Sequence, residues 1–189
     1  MERLSFEIFK PEEDKFRLTP NLTMAILWLV PALLLWAIKG DNSGPPNDFV
    51  KIYFVCVFLL TMYYLTSSFF SYKPLRGSID GEIEFENDGI IIDDKTFKLA
   101  DIIAIDFSFT DYYGQSSMYV RDFNPRLSQG VGNYVSFTDS KNQNQIIYFR
   151  FQGKHGYQSL SPFINEAIKL KKMEFNRGVD LLGIESITA

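Results

Sequence analysis

The chain has 189 residues, a formal net charge of −4, one histidine and one cysteine. That charge gives no bulk attraction to nucleic acid, although a local basic patch stays compatible with it. A catalytic triad or a zinc site needs more histidine or cysteine than His155 and Cys56 supply. No disulfide can form within the chain, which agrees with a reducing compartment.

Residues 1–20 form an N-terminal segment in which Leu4, Phe6 and Ile8 alternate with Ser5 and Glu7. This period of two predicts a strand over residues 3–9, ended by Pro11, that completes the sheet of a later domain. An amphipathic segment on a membrane surface is the alternative. The acidic cluster Glu12, Glu13 and Asp14 does not suit a signal peptide, so the apolar run that follows is expected to stay as an anchor.

Two uncharged apolar runs come next, 22–38 and 52–70, joined by a short link with Gly44, Pro45 and Pro46. A helix needs about 20 apolar residues to cross a bilayer, with about 17 near the lower limit. A two-helix transmembrane hairpin over 21–72 is therefore expected, against the alternative of two helices buried in a soluble core. Arg3, Lys10, Lys15 and Arg17 precede it, the link holds only Lys39 and Lys51, and Lys73 and Arg76 follow it. This excess places both termini in the cytoplasm and the protein in the cytoplasmic (inner) membrane as a multi-pass protein. Lys73 and Arg76 then lie where anionic headgroups attract them. Pro31 predicts a kink in the first helix, and Trp36 an anchor at the outer interface. Cys56 reads as a small packing residue. Thr61, Ser67 and Ser68 carry hydroxyls near the cytoplasmic end of the second run. Such groups bond back to their own helix or across to another, or they face other copies or a water-filled path.

From residue 73 the pattern is β. Ile83 and Phe85 alternate with glutamates, Asn87-Asp88-Gly89 marks a hairpin turn, and residues 102–109 alternate again. Residues 134–137 and 145–151 flank a polar turn and form another hairpin. Residues 110–133 make a long irregular stretch with one edge strand expected near 118–120, and a stretch that long is often functional. Ser161 as N-cap and Pro162 in the first turn open a closing helix over 161–175, with Phe163, Ile164, Ala167, Ile168 and Leu170 as its apolar face and Asn176-Arg177-Gly178 as its stop. The tail VDLLGI suits docking on a groove or on a partner chain.

The strand pair around Asn87-Asp88-Gly89, the segment KTFKLADIIAID at 95–106, the last hairpin and the helix from Ser161 together resemble bacterial two-helix membrane proteins with a cytoplasmic pleckstrin-homology-like domain. The resemblance covers roughly residues 80–175. It implies a membrane α-helical hairpin plus a mainly antiparallel β domain over 73–189, with about seven strands in a barrel-like arrangement and a C-terminal helix. It implies a binding module without catalysis and without a cofactor. The basic phosphoinositide pattern of such domains is replaced in the first hairpin by Glu82, Glu84 and Glu86. The layout alone also looks like that of two-helix membrane effectors in bacterial anti-phage signalling, whose β domain senses a nucleotide signal and whose helices breach or gate the membrane.

One constellation suits a phosphate-bearing ligand: Tyr112, Tyr113, Arg121 and Arg126 in the long stretch, with Arg150, Lys154 and His155 after the last strand. Arginine holds phosphate through paired bonds, and tyrosine stacks on a base. The alternative is a set of surface charges that never meet, with His155 a plain loop residue. The sequence thus points to a non-enzymatic sensor or effector in the lipid bilayer. Its partners would be its own copies in a homo-oligomer and a ligand, either a nucleotide or oligonucleotide signal or a protein. The competing reading is an accessory or scaffold subunit of a larger membrane complex.

Overall fold

The computed structural model describes residues 4–13, 17–38, 48–117 and 122–183. The chain divides into two compact units. One, the β unit, comprises Met1–Glu13, Pro74–Gln115 and Ser128–Ala189; the other, the helical unit, comprises Asp14–Lys73 and Ser116–Leu127.

The β unit is built on a seven-stranded sheet whose order is β4-β3-β2-β1-β9-β8-β5. Its strands are β1 (Leu4–Pro11), β2 (Gly77–Glu86), β3 (Gly89–Ile92), β4 (Lys95–Lys98), β5 (Ala104–Ser108), β8 (Asn133–Thr138) and β9 (Asn144–Phe149). Every pairing in it is antiparallel. Two short strands, β6 (Tyr113–Ser116) and β7 (Leu127–Gln129), pair separately. The sheet is open, so the expected barrel is corrected: among the described residues no closed barrel forms. The edge strand expected near 118–120 falls on residues outside those described.

The predicted N-terminal strand exists and lies in the middle of the sheet. Phe6 pairs with Ile83 on one side of β1, and Ile8 pairs with Phe149 on the other. Its register shifts between Glu7 and Phe9, a bulge that leaves both Ile8 and Phe9 buried. Phe6 meets the rings of Phe85, Phe149 and Phe151 at centroid distances of 5.9, 5.5 and 5.3 Å. These rings join Phe107, Phe137 and Phe163 in one core that is closed from one side by helix α4 (Ser161–Lys169). Burying a phenylalanine side chain contributes about 1.5–3 kcal/mol, so this aromatic cluster is a main source of the unit's stability.

The closing helix differs from expectation. A short helix α3 (Gly156–Ser159) precedes α4, so Leu160 rather than Ser161 occupies the N-cap. Helix α4 ends at Lys169, and a separate helix α5 (Phe175–Leu182) runs through the expected stop. The break is a Schellman motif: Lys172 N–H donates to the Ala167 carbonyl at 2.8 Å, and Lys171 N–H to that of Ile168 at 2.9 Å. Lys171 holds the left-handed position, φ 56°, where glycine is usual. Gly178 instead lies buried inside α5, where a Cβ would come within 2.4 Å of the Ile168 side chain, so its role is close helix packing. Leu170, expected on the apolar face, is 44% exposed.

The α4–α5 segment also seals the sheet edge at β5. Ile105 N–H donates to the Lys172 carbonyl at 3.0 Å, and Arg177 donates to the Phe107 carbonyl at 2.6 Å and to Asp106 at 2.7 Å. An unpaired strand edge invites association with other chains, and these bonds occupy it.

The helical unit holds α1 (Pro20–Ile38) and α2 (Asp48–Ser68). Thr19 caps α1, accepting Leu22 N–H on its hydroxyl at 3.2 Å, and Pro20 suits the first helical position. The helices pack antiparallel: Met24 and Trp28 lie against Thr61, and Tyr53 donates to the Leu27 carbonyl at 3.1 Å. Among the described residues one helix, Val50–Ser68, is long and apolar enough to cross a membrane, and only 6% of that stretch is buried. The apolar stretch Pro20–Leu33 is shorter.

Candidate functional site

The long stretch after β5 is anchored where it leaves and where it rejoins the sheet. Its two ends are tied in the β unit by a polar knot around Asn133, which is fully buried. The Asn133 amide oxygen accepts Thr110 N–H at 2.9 Å, and its NH2 group donates to the carbonyls of Asp111 and Gly130 at 2.9 and 3.0 Å. The Asp111 carboxylate accepts Gly132 N–H at 2.9 Å and the Ser128 hydroxyl. Gly130 has φ 73°, and a Cβ there would stand 2.5 Å from both the Phe151 oxygen and the Tyr113 nitrogen. Only glycine meets both demands. The paired glycines of QGVGN thus serve this knot.

Beside the knot, the expected cationic and aromatic residues are partly brought together. Arg150 follows β9, and its guanidinium lies 4.5 Å from the Tyr113 ring centroid. Its Nε donates to the Gln129 carbonyl at 3.0 Å, and its Nη1 donates to the Glu7 carboxylate at 3.2 Å. The side chains of Arg150 and Glu7 are 16% and 45% exposed, so this pair is more shielded than an ordinary surface ion pair. Arg150 therefore ties the N-terminal strand, the loop base and the last strand together. Its Nη2 group makes no hydrogen bond among the described residues and remains a donor for an anion. Tyr112 packs its ring against the core and takes the Gln115 amide oxygen on its N–H at 3.1 Å. Lys154 and His155 are exposed on the turn before α3.

Arg126 is placed elsewhere. It belongs to the helical unit, is 3% exposed, and holds its guanidinium 3.6 Å from the Phe69 ring centroid. Arg121 lies outside the described residues. Sequence reasoning missed Glu7, Asp111, Ser128 and Asn133; the cluster of Asp, Ser and Asn around two close glycines was the available signal.

The hydroxyls of α2 bond within the chain. Thr61 donates to the Val57 carbonyl at 2.7 Å and accepts the Trp28 indole N–H at 3.1 Å. Ser67 and Ser68 donate back to Tyr64 and Leu65 at 3.2 and 2.8 Å. Lys73 and Arg76 are exposed, and their backbones are fixed: Lys73 N–H donates to the Leu127 carbonyl, and the Arg76 carbonyl accepts Glu12 N–H. Among the described residues no group of three or more His, Cys, Asp or Glu is arranged to hold a metal ion. No protein-family profile, curated protein or solved structure matches the chain.

Proposed function

We propose that the protein is a non-enzymatic membrane sensor or effector, in which the β unit binds a ligand or protein and controls an assembly of transmembrane helices. The observation that carries this reading is the exposed apolar surface of α2, where Ile52, Val55, Phe58, Leu59 and Tyr63 are each more than half exposed. A water-soluble monomer rarely leaves a contiguous apolar face of that length uncovered. Lipid covers it if both helices span the cytoplasmic membrane as a hairpin with the termini inside. A helix pair gains further contact by self-association.

In this reading the β unit is pleckstrin-homology-like. Three features support that: a β2-β3-β4 meander, the β8-β9 hairpin, and a helix closing the core. The ligand would meet the Tyr113–Arg150 pair, with its unoccupied Nη2 group as anion donor, and Lys154 and His155 on the neighbouring turn in sequence. A phosphate-bearing nucleotide fits that chemistry.

The test uses the full chain in nanodiscs, with oligomeric state read by native mass spectrometry and membrane potential followed in cells that overexpress it. A defined oligomer and a depolarised membrane are the expected results, and Ser67→Leu is expected to alter both. A strict monomer, with a membrane potential indifferent to overexpression, would overturn the effector reading. An accessory subunit would then stand first, favoured by the exposed apolar side chains Ile103 and Phe175 on the β unit.

A further inference from the structure

We propose that a second copy of the chain docks on the groove at the break between α4 and α5, through a two-fold contact in which Phe175 of each copy enters the groove of the other. All the residues involved belong to the β unit. The contact goes beyond the helix assembly proposed above and does not depend on it.

The groove follows from the way α4 ends. The Schellman turn, with Lys171 in the left-handed position, takes the chain out of α4. The Lys172 carbonyl, bonded to Ile105 N–H, then pins the connection to α5 beside β5. A groove of about 510 Å³ stays open there. Ile168 and the buried Met173 give it apolar surface, and Ile103 and Phe175 stand at it 53% and 67% exposed. One patch thus carries both an apolar hollow and an aromatic ring left mostly in water. Moving that ring out of water is favourable, and an exposed apolar patch of this kind marks an interaction surface.

The charges at the groove decide its occupant. Lys169, nearby in sequence, pairs with Glu166 at 2.9 Å, and Lys172 donates to the Ala100 carbonyl at 3.1 Å. Lys171 and Glu174 are exposed at the groove, and among the described residues neither side chain makes a hydrogen bond or an ion pair. An anionic bilayer or an acidic peptide is drawn by a surplus of basic charge. Here the Glu174 carboxylate offsets Lys171, and the Lys172 ammonium is already engaged. A second copy needs no surplus. A two-fold axis sets the patch against itself, so Lys171 of one copy meets the partner's Glu174, and the reverse.

The roles divide between the two kinds of residue. Phe175 is the anchor, since aromatic side chains seated in a pocket carry most of the energy of a contact. The charge pairs set the register and reject wrong partners more than they add affinity. Few residues take part, which places the contact among small, reversible interfaces. Any tether that raises the local concentration of copies strengthens it.

The experiment uses the full chain at one copy per nanodisc, so that the helices of different copies cannot meet, and reads the pairing of discs by sedimentation velocity. Concentration-dependent pairs of discs are expected. Phe175→Ser, at an exposed position, is expected to weaken pairing on the order of tenfold. Lys171→Glu and Glu174→Lys are each expected to weaken it about as much, because a two-fold contact meets every change twice. The double variant is expected to restore most of the loss. Damage to the fold would add in the double variant instead of cancelling, so the rescue reports the contact itself. Discs that stay single up to about 100 μM, the weak end of reversible contacts, would overturn the proposal. So would a double variant that pairs no better than the single ones. Vesicles of anionic lipid are the second arm: unpaired discs whose Glu174→Lys variant gains vesicle binding would make the bilayer the occupant. Pairing that appears only after residues 184–189 are removed would make that tail the occupant.

Discussion

At the scale of single residues, the β unit depends on Asn133 and Gly130 more than on any residue that looks reactive. Asn133 spends both ends of its amide on backbone groups while fully buried. Leaving such groups unsatisfied costs about 1–3 kcal/mol each. Asn133→Ala is expected to lower the stability of the β unit by at least that amount in urea unfolding, while the exposed Lys154→Ala stays within about 0.5 kcal/mol of the parent. A second residue pair sets a pH dependence. Lys10 donates to Asp80 at 2.6 Å on the surface. That hydrogen bond holds the Asp80 carboxyl below its ordinary 3.8 and the Lys10 ammonium above its ordinary 10.5. Asp80's contribution is complete above 3.8 and is lost as pH falls through its lower folded value; Lys10's is complete below 10.5 and is lost as pH rises through its higher folded value. The difference in Tm between the parent and Asp80→Asn is therefore expected to be largest between those limits and to close in acid. Added salt is expected to shrink it, because both groups are exposed. A difference that grows as pH falls below 3.8 would contradict the pairing.

At the scale of elements, the strands were legible because alternation is local, and their partners were not because pairing is long-range. The period of two in Leu4, Phe6 and Ile8 announced β1. Nothing in it announced a central place, which is set by Ile83 on one side and Phe149 on the other. The candidate site was hidden for the same reason: Arg150 was visible, but its partner Glu7 lies 143 residues away. The closing helix misled for a different reason. Gly178 looked like a stop, whereas the true stop puts Lys171 in the left-handed position, so composition pointed to the wrong residue. The central place of β1 sharpens what its loss does. Without it the sheet falls into the halves β4-β3-β2 and β9-β8-β5. Deleting residues 2–9 is expected to abolish cooperative unfolding of the β unit rather than to lower its midpoint slightly, and a synthetic peptide of residues 2–11 added in trans is expected to restore part of it. A cooperative transition with an unchanged midpoint in the deletion would contradict a central β1.

At the scale of the whole molecule, the proposed membrane hairpin raises the question of which side each segment would face. Under that proposal, the distribution of basic residues would put the β unit on the cytoplasmic side. Arg3, Lys10, Lys15 and Arg17 precede the first helix and Lys73 and Arg76 follow the second, whereas only Lys39 and Lys51 lie between. Basic residues near helix ends resist translocation, and acidic ones count little in this balance. The folded β unit draws strands from both sides of the helical segment, since β1 precedes it and β2 follows it. Both must then lie on one side, which requires an even number of crossings between residues 11 and 77. If α2 crosses, the first apolar segment crosses with it. Single cysteines at Ser43 and Ser140, each in a Cys56→Ala background, test this with a membrane-impermeant maleimide on intact cells. Ser140 stands exposed in the β8-β9 turn, so labelling there reports access rather than burial. Labelling at position 43 in intact cells, and at 140 only after permeabilisation, is the expected outcome. Labelling at 140 alone would invert the orientation, and labelling at both would mean that the β unit and the link share one side, with no hairpin across the membrane.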